Sequence, residues 1–145
     1  MKKYILAIAI IGLGFQGFTC LSKDEKMIPI AKIELHPEAF QDIEKGKAVY
    51  AKTCITCHQA SGQGIPSVFP PLAKSDYLNA DVDRAIRQII KGATGPIVVN
   101  GKKYNTPMPA QALNDQQIAD VLTYVYASWG NSNKVITPEM VKAQR

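Results

Sequence analysis

The stretch "KTCITCHQASGQG", Lys52–Gly64, contains three side chains of types that do chemistry: Cys54, Cys57 and His58. Two thiols with two residues between them, and an imidazole directly after the second, suit one flat object lying across the chain. Positions three and four apart on a helix share a face, so both sulfurs and the ring present themselves together. A porphyrin matches that demand, because each thiol can add to a vinyl group at the ring edge while the histidine reaches the iron. C-x-x-C-H is the spacing of covalent haem attachment. The expected cofactor is therefore one haem c, bound through Cys54 and Cys57, with His58 as an iron ligand.

Other chemistries of the same residues stand beside this one. Zinc asks for four nitrogen or sulfur ligands, and beyond the motif the chain offers Cys20 and His36. A thioredoxin-like C-x-x-C follows a strand in a βαβ unit, whereas this pair closes a helical pattern. A structural disulfide between Cys54 and Cys57 would cross-link no distant parts of the chain. For the far side of an iron the sequence supplies Met108, His36, Met27 and Met140. Met108 is the expected ligand: Pro107 and Pro109 flank it, and prolines on both sides restrict the backbone that carries the sulfur. Its alternative role is a methionine filling a gap in the core.

The elements that must position these groups are legible from periodicity. From Pro37 to Cys57, Ala39, Ile43, Gly46, Tyr50, Cys54 and Cys57 form one helical stripe, so the cysteines are expected at the C-terminal end of a helix. Gly46 within the stripe costs about 1 kcal/mol of helix propensity, which marks a close approach of another backbone. A second helix is expected from Asp81 to Lys91, stopped by Gly92. A third begins at Asn114, with Gln117 completing a capping box, and runs to Gly130 with Ile118, Val121, Leu122, Val125 and Trp129 on one face. Asn100-Gly101 between "IVV" and "KKY" predicts a tight hairpin turn. Two long Gly/Pro-rich loops separate the helices, and loops of that length in a compact domain wrap something or carry function. The expected fold class is all-α: three main helices and long loops wrapped around one covalently bound haem.

The N-terminus reads as an export signal. "MKKYILAIAIIGLGFQGFTC" places two lysines before an apolar run, the order of a secretory leader, and residues 1–19 are assigned to it; a retained anchor helix is the alternative. Cys20, followed by polar "LSKDEK", is a candidate for lipid modification, which would tether the domain to a membrane face by burying methylenes at ~0.8 kcal/mol each. Residues 20–37 then form the tether, 38–130 the haem domain and 131–145 a C-terminal tail. The expected location is the periplasm, free or membrane-anchored. Of the net charge of +5, two units come from Lys2 and Lys3. The mature chain has no basic run interleaved with aromatics, so nucleic acid is not an expected partner.

Several motifs in order, "GKAVY", "CITCH", "GQG", "FPPL", "PMP" and "ADVLTYV", resemble a class I c-type cytochrome. The tail, "SWGN" and "VITPEMVKAQR", resembles the haem domains serving bacterial copper nitrite reductases, quinoprotein dehydrogenases and terminal oxidases. The resemblance implies that Gly46 and Tyr50 cross the last helix near Val121 and Tyr124. It also implies that the Pro70 carbonyl accepts the Nδ1 hydrogen of His58, and that Leu72 packs on the haem. Arg84 and Arg87 are candidates for its propionates, or else belong to a solvated helix face.

Imidazole and thioether together leave iron no vacancy for substrate, so the implied function is outer-sphere transfer of single electrons rather than catalysis. The exposed edge near Ile55, Thr56 and Pro109 would meet a redox protein partner: an oxidase, a nitrite reductase or a dehydrogenase. Two further readings remain. The chain could be a fixed electron-transfer subunit of a larger oxidase or reductase, or an open-site haem enzyme or gas sensor. A dihaem peroxidase is excluded because there is a single C-x-x-C-H.

Overall fold

A computed structural model describes residues 37–145, with side chains from residue 43 onward. The expected leader, Cys20, Met27 and His36 lie outside the described residues. Six helices and one hairpin follow in order: α1 (Pro37–Thr53), α2 (Ile55–His58), α3 (Asp76–Ala80), α4 (Val82–Lys91), β1 (Ile97–Val99), β2 (Lys102–Tyr104), α5 (Asp115–Ala127) and α6 (Pro138–Lys142). The expected all-α fold is observed, with α1, α4 and α5 as its main helices.

The first and last long helices make the principal contact. Gly46 explains how closely they approach: a Cβ there would lie 2.0 Å from the Asp120 carbonyl oxygen and 2.8 Å from Cβ of Tyr124. The crossing is the one expected, although Gly46 meets Asp120 rather than Val121. One turn later the Tyr50 ring packs 5.6 Å from that of Tyr124 and 5.2 Å from that of Trp129, spacings typical of attractive tilted pairs. The buried core continues through Ile118, Val121, Leu122 and Val125 of α5 to Ala85, Ile86 and Ile89 of α4.

Helix ends follow their caps. Asn114 accepts from the Gln117 amide while the Gln117 side chain accepts from the Asn114 amide, completing the predicted capping box. Asp81 caps α4 through the Arg84 amide at 2.9 Å. The hairpin is antiparallel with Val99 opposite Lys102, and Asn100 and Gly101 both have positive φ, the backbone of a tight primed turn. Asn100 is further tied to Asp76 of α3 by two hydrogen bonds, at 2.7 and 3.1 Å.

Three boundaries differ from expectation. The first helix ends at Thr53, and Cys54 forms a junction before α2, so the motif spans a helix break rather than one continuous helix. The third ends at Ala127, because Ser128 adopts an extended conformation and Trp129 has a φ of 52°. The segment 131–145 carries α6, whose Val141 is buried against the core. No helix among the described residues is long and apolar enough to cross a membrane.

Candidate functional site

Cys54 and Cys57 sit at the junction of α1 and α2, and His58 closes α2. Both cysteines are partly buried. Burial pushes the Cys54 thiol up from its ordinary value; the Thr53 hydroxyl, 3.3 Å from its sulfur, opposes that and neighbouring Cys57 adds to it. Among the described residues the pair follows a helix, α1, rather than the strand that precedes a thioredoxin-like site. Among the described residues no group of three or more His, Cys, Asp and Glu side chains is arranged to hold a metal ion.

The loop after α2 folds back on the motif through its own backbone. The Gly64 amide donates to the His58 carbonyl at 2.9 Å, and the Leu72 and Ala73 amides donate to the Gly62 carbonyl at 2.7 and 2.9 Å. Gly64 has a φ of +64°, and a Cβ there would lie 2.6 Å from the Pro70 oxygen, so only glycine lets this turn pass beneath that carbonyl. The result places Pro70 O 3.0 Å from His58 Nδ1. A proline carbonyl can only accept, so Nδ1 carries the hydrogen and Nε2 is left with its lone pair. Burial holds the imidazole below its ordinary pKa, the hydrogen bond to Pro70 opposing this in part. Neutral, oriented and desolvated, this is a histidine suited to bind a metal.

Met108 is set by a second backbone clamp. Its amide and carbonyl exchange hydrogen bonds with Ala93, both at 2.9 Å, directly after the turn that ends α4. His58 and Met108 line the same cavity of ≈ 480 Å³, together with Cys57, Pro70, Tyr104 and Pro107. Two further spaces also touch His58. One of ≈ 450 Å³ is lined by Cys54, Leu72, Ile89, Val121 and Val125; the other, of ≈ 410 Å³, reaches Tyr77, Asp81, Arg84 and Gln88. Together they surround the imidazole with mostly apolar walls, a setting that fits a porphyrin.

The structure thus brings Cys54, Cys57, His58, Pro70, Leu72 and Met108 around one cleft. It does not bring Met140 there; that side chain packs against the core from α6. The two arginines separate as well, Arg84 bordering the cleft and Arg87 donating to Gln144 at 2.7 Å. Sequence reasoning missed Ser75, Tyr77, Gln88 and Tyr104 as cleft residues. Ser75 carried a usable signal, since a serine before an acidic residue marks a helix start, and its hydroxyl does accept from the Leu78 amide at 3.1 Å.

A family model described as Cytochrome c matches residues 43–129, which contain this entire cleft. The chain belongs to the cytochrome c family. Among its relatives is a protein named cytochrome c-552 from Thermus thermophilus, 41% identical over 110 residues, which cover 69% of this chain and 83% of that one. A gluconate 2-dehydrogenase cytochrome c subunit from Pantoea cypripedii is 34% identical over 97 residues, 64% of this cytochrome but 22% of the relative. An alcohol dehydrogenase (quinone) cytochrome c subunit from Gluconacetobacter polyoxogenes is 32% identical over 88 residues, 59% of this chain and 19% of the other. This cytochrome is a haem electron carrier, and its cofactor is haem c.

Proposed function

We propose that this cytochrome is an exported carrier of single electrons whose iron is held between Nε2 of His58 and the sulfur of Met108. The observation that carries the reading is that these two side chains line one cavity, the first with its ring fixed by Pro70 and the second with its backbone fixed by Ala93. Haem supplies the one-electron exchange between Fe(II) and Fe(III). Cys54 and Cys57 hold it covalently, and Leu72 and Pro70 close the wall around the histidine. Thioether sulfur favours the reduced metal more than a second nitrogen would, and the apolar walls disfavour the extra charge of the oxidised one. Both effects raise the potential, so the carrier suits a late, oxidising stage of a respiratory-type chain, and iron ligated by both side chains would have no position for a substrate.

Residues 1–19 act as the export leader, 20–37 as a tether that begins at Cys20, 38–130 as the haem domain and 131–145 as a packed C-terminal extension. The partner is a redox enzyme on the periplasmic side, approached through the edge at Ile55, Thr56 and Pro109, of which Thr56 and Pro109 are exposed. A second reading, a fixed subunit of a larger redox enzyme, is favoured by the relatives that are cytochrome subunits of dehydrogenases. Potentiometric titration of the holoprotein tests the ligand set: a positive midpoint potential is expected, and a strongly negative one would defeat His/Met ligation. Purification without detergent, free of any enzyme, supports the shuttle; stoichiometric co-purification with a dehydrogenase supports the subunit.

A further inference from the structure

We propose that Asn131 is a positioning residue for the iron-binding histidine, acting through the loop that carries Pro70. The inference rests on the reading of His58 as an iron ligand. The hydrogen on His58 Nδ1 is held by the Pro70 carbonyl at 3.0 Å, and a ligand oriented in this way is only as fixed as the segment that supplies the acceptor. That segment, residues 62–73, runs between α2 and α3 without a helix of its own. Bonds from the Leu72 and Ala73 amides to the Gly62 carbonyl close it on itself, but they do not fasten it to the long helices.

Asn131 supplies that link. Its Nδ2 donates to the Leu72 carbonyl at 3.0 Å and to the Val125 carbonyl at 2.9 Å, while its Oδ1 accepts from Asn79 at 3.0 Å. One carboxamide, with both donors and its acceptor engaged, thus joins the loop two residues beyond Pro70 to the end of α5 and to α3. The turn that presents it grips the same loop twice more. A Cβ on Gly62 would meet the Trp129 ring at 2.5 Å, and one on Gly130 would meet the Lys74 side chain at 3.2 Å, so each glycine admits the facing segment at contact distance. Trp129 holds a φ of 52°, a left-handed backbone that a bulky residue keeps only where its surroundings impose it. Asn131 lines none of the three spaces around His58, so it acts on the histidine through the loop rather than on the cofactor.

Proton NMR of the ferrous holoprotein tests this through solvent exchange of the His58 Nδ1 hydrogen, on the parent, Asn131→Ala, Asn131→Asp, Asn79→Ala and Asn114→Ala. Exchange requires the bond to Pro70 to open. Asn131→Ala is expected to speed it about tenfold. Asn131→Asp keeps the shape and the acceptor but donates nothing to the two carbonyls, and is expected to speed it at least as much. Asn79→Ala removes only the bond on Oδ1 and is expected to act less, by about threefold. Asn114→Ala loses a cap at the opposite end of α5 and is expected to follow the parent. Parental exchange in Asn131→Asp overturns the proposal, as does an equal acceleration by Asn114→Ala, which would mean a general loosening. If the Asn131 variants yield too little holoprotein, parental exchange in Asn79→Ala overturns it equally. Ring protons of His58 at ordinary imidazole positions in the ferrous parent, rather than shifted far upfield by the macrocycle, would instead refute iron ligation and this inference with it.

Discussion

Nδ1 of His58 lies 3.0 Å from the carbonyl oxygen of Pro70, across a loop that turns on Gly64. This one bond decides the tautomer of the imidazole, aims Nε2 into the cleft and ties the loop to the motif. Gly64→Ala tests it, because the new Cβ must displace the Pro70 or Phe69 carbonyl. Overpacking of this kind costs about 1–3 kcal/mol. Denaturant unfolding of the holoprotein is expected to show that loss, and an unchanged midpoint would mean that the loop relaxes without using the bond.

Tyr126 gives the fold an alkaline limit. It is fully buried and donates to the Leu78 carbonyl at 3.0 Å; burial first, then the nearby Asp81 carboxylate, push its hydroxyl from 10.0 to about 12, with Arg84 opposing. The folded state holds this proton more tightly than the unfolded chain does. The associated stability is thus complete below pH 10.0 and lost as pH rises from there to about 12, a span worth about 3 kcal/mol. Tyr126→Phe is expected to be less stable at neutral pH by about 1 kcal/mol for the lost hydrogen bond, yet to lose less between pH 10 and 12. Parallel stability curves for the two proteins would contradict this.

Replacing Cys54 and Cys57 with Ala removes attachment and tests whether the cofactor completes the core. Residues from α2, α4, α5, the 69–72 loop and the Met108 loop all face the cleft, and without a filling those walls lose their contacts. Far-ultraviolet circular dichroism is expected to show much reduced helix. Native-like helicity without haem would show that the protein shell folds alone.

Met108→Ala separates a ligand from a core methionine. With haem attached, the variant is expected to bind carbon monoxide quickly when reduced and to lose the sulfur-to-iron charge-transfer band of the ferric state. A variant with the parent's spectrum would leave Met108 as packing only.

Much of this architecture was legible because its signals are local. The capping box at Asn114 and Gln117, the Asn100-Gly101 turn and the Gly92 stop each depend on a few adjacent residues, and each appears where expected. The break at Cys54 was hidden because its residues keep helical spacing on both sides of the junction. Two short helices went unread for lack of length, although Ser75 and Thr137-Pro138 are sound start signals and both side chains do cap. The cleft was legible only in part. Its motif residues are contiguous, while Tyr77, Arg84 and Gln88 are gathered by packing of α3 against α4, which no local pattern announces.

The central claim is that His58 and Met108 together leave the iron no free position. Absorption spectra of the purified holoprotein, oxidised and reduced, test it most directly. The expected result is a low-spin haem c with the sulfur-to-iron band in its ferric form and little affinity for carbon monoxide in its ferrous form. A high-spin, five-coordinate centre that takes up carbon monoxide readily would contradict it and make an open-site sensor or enzyme the better account.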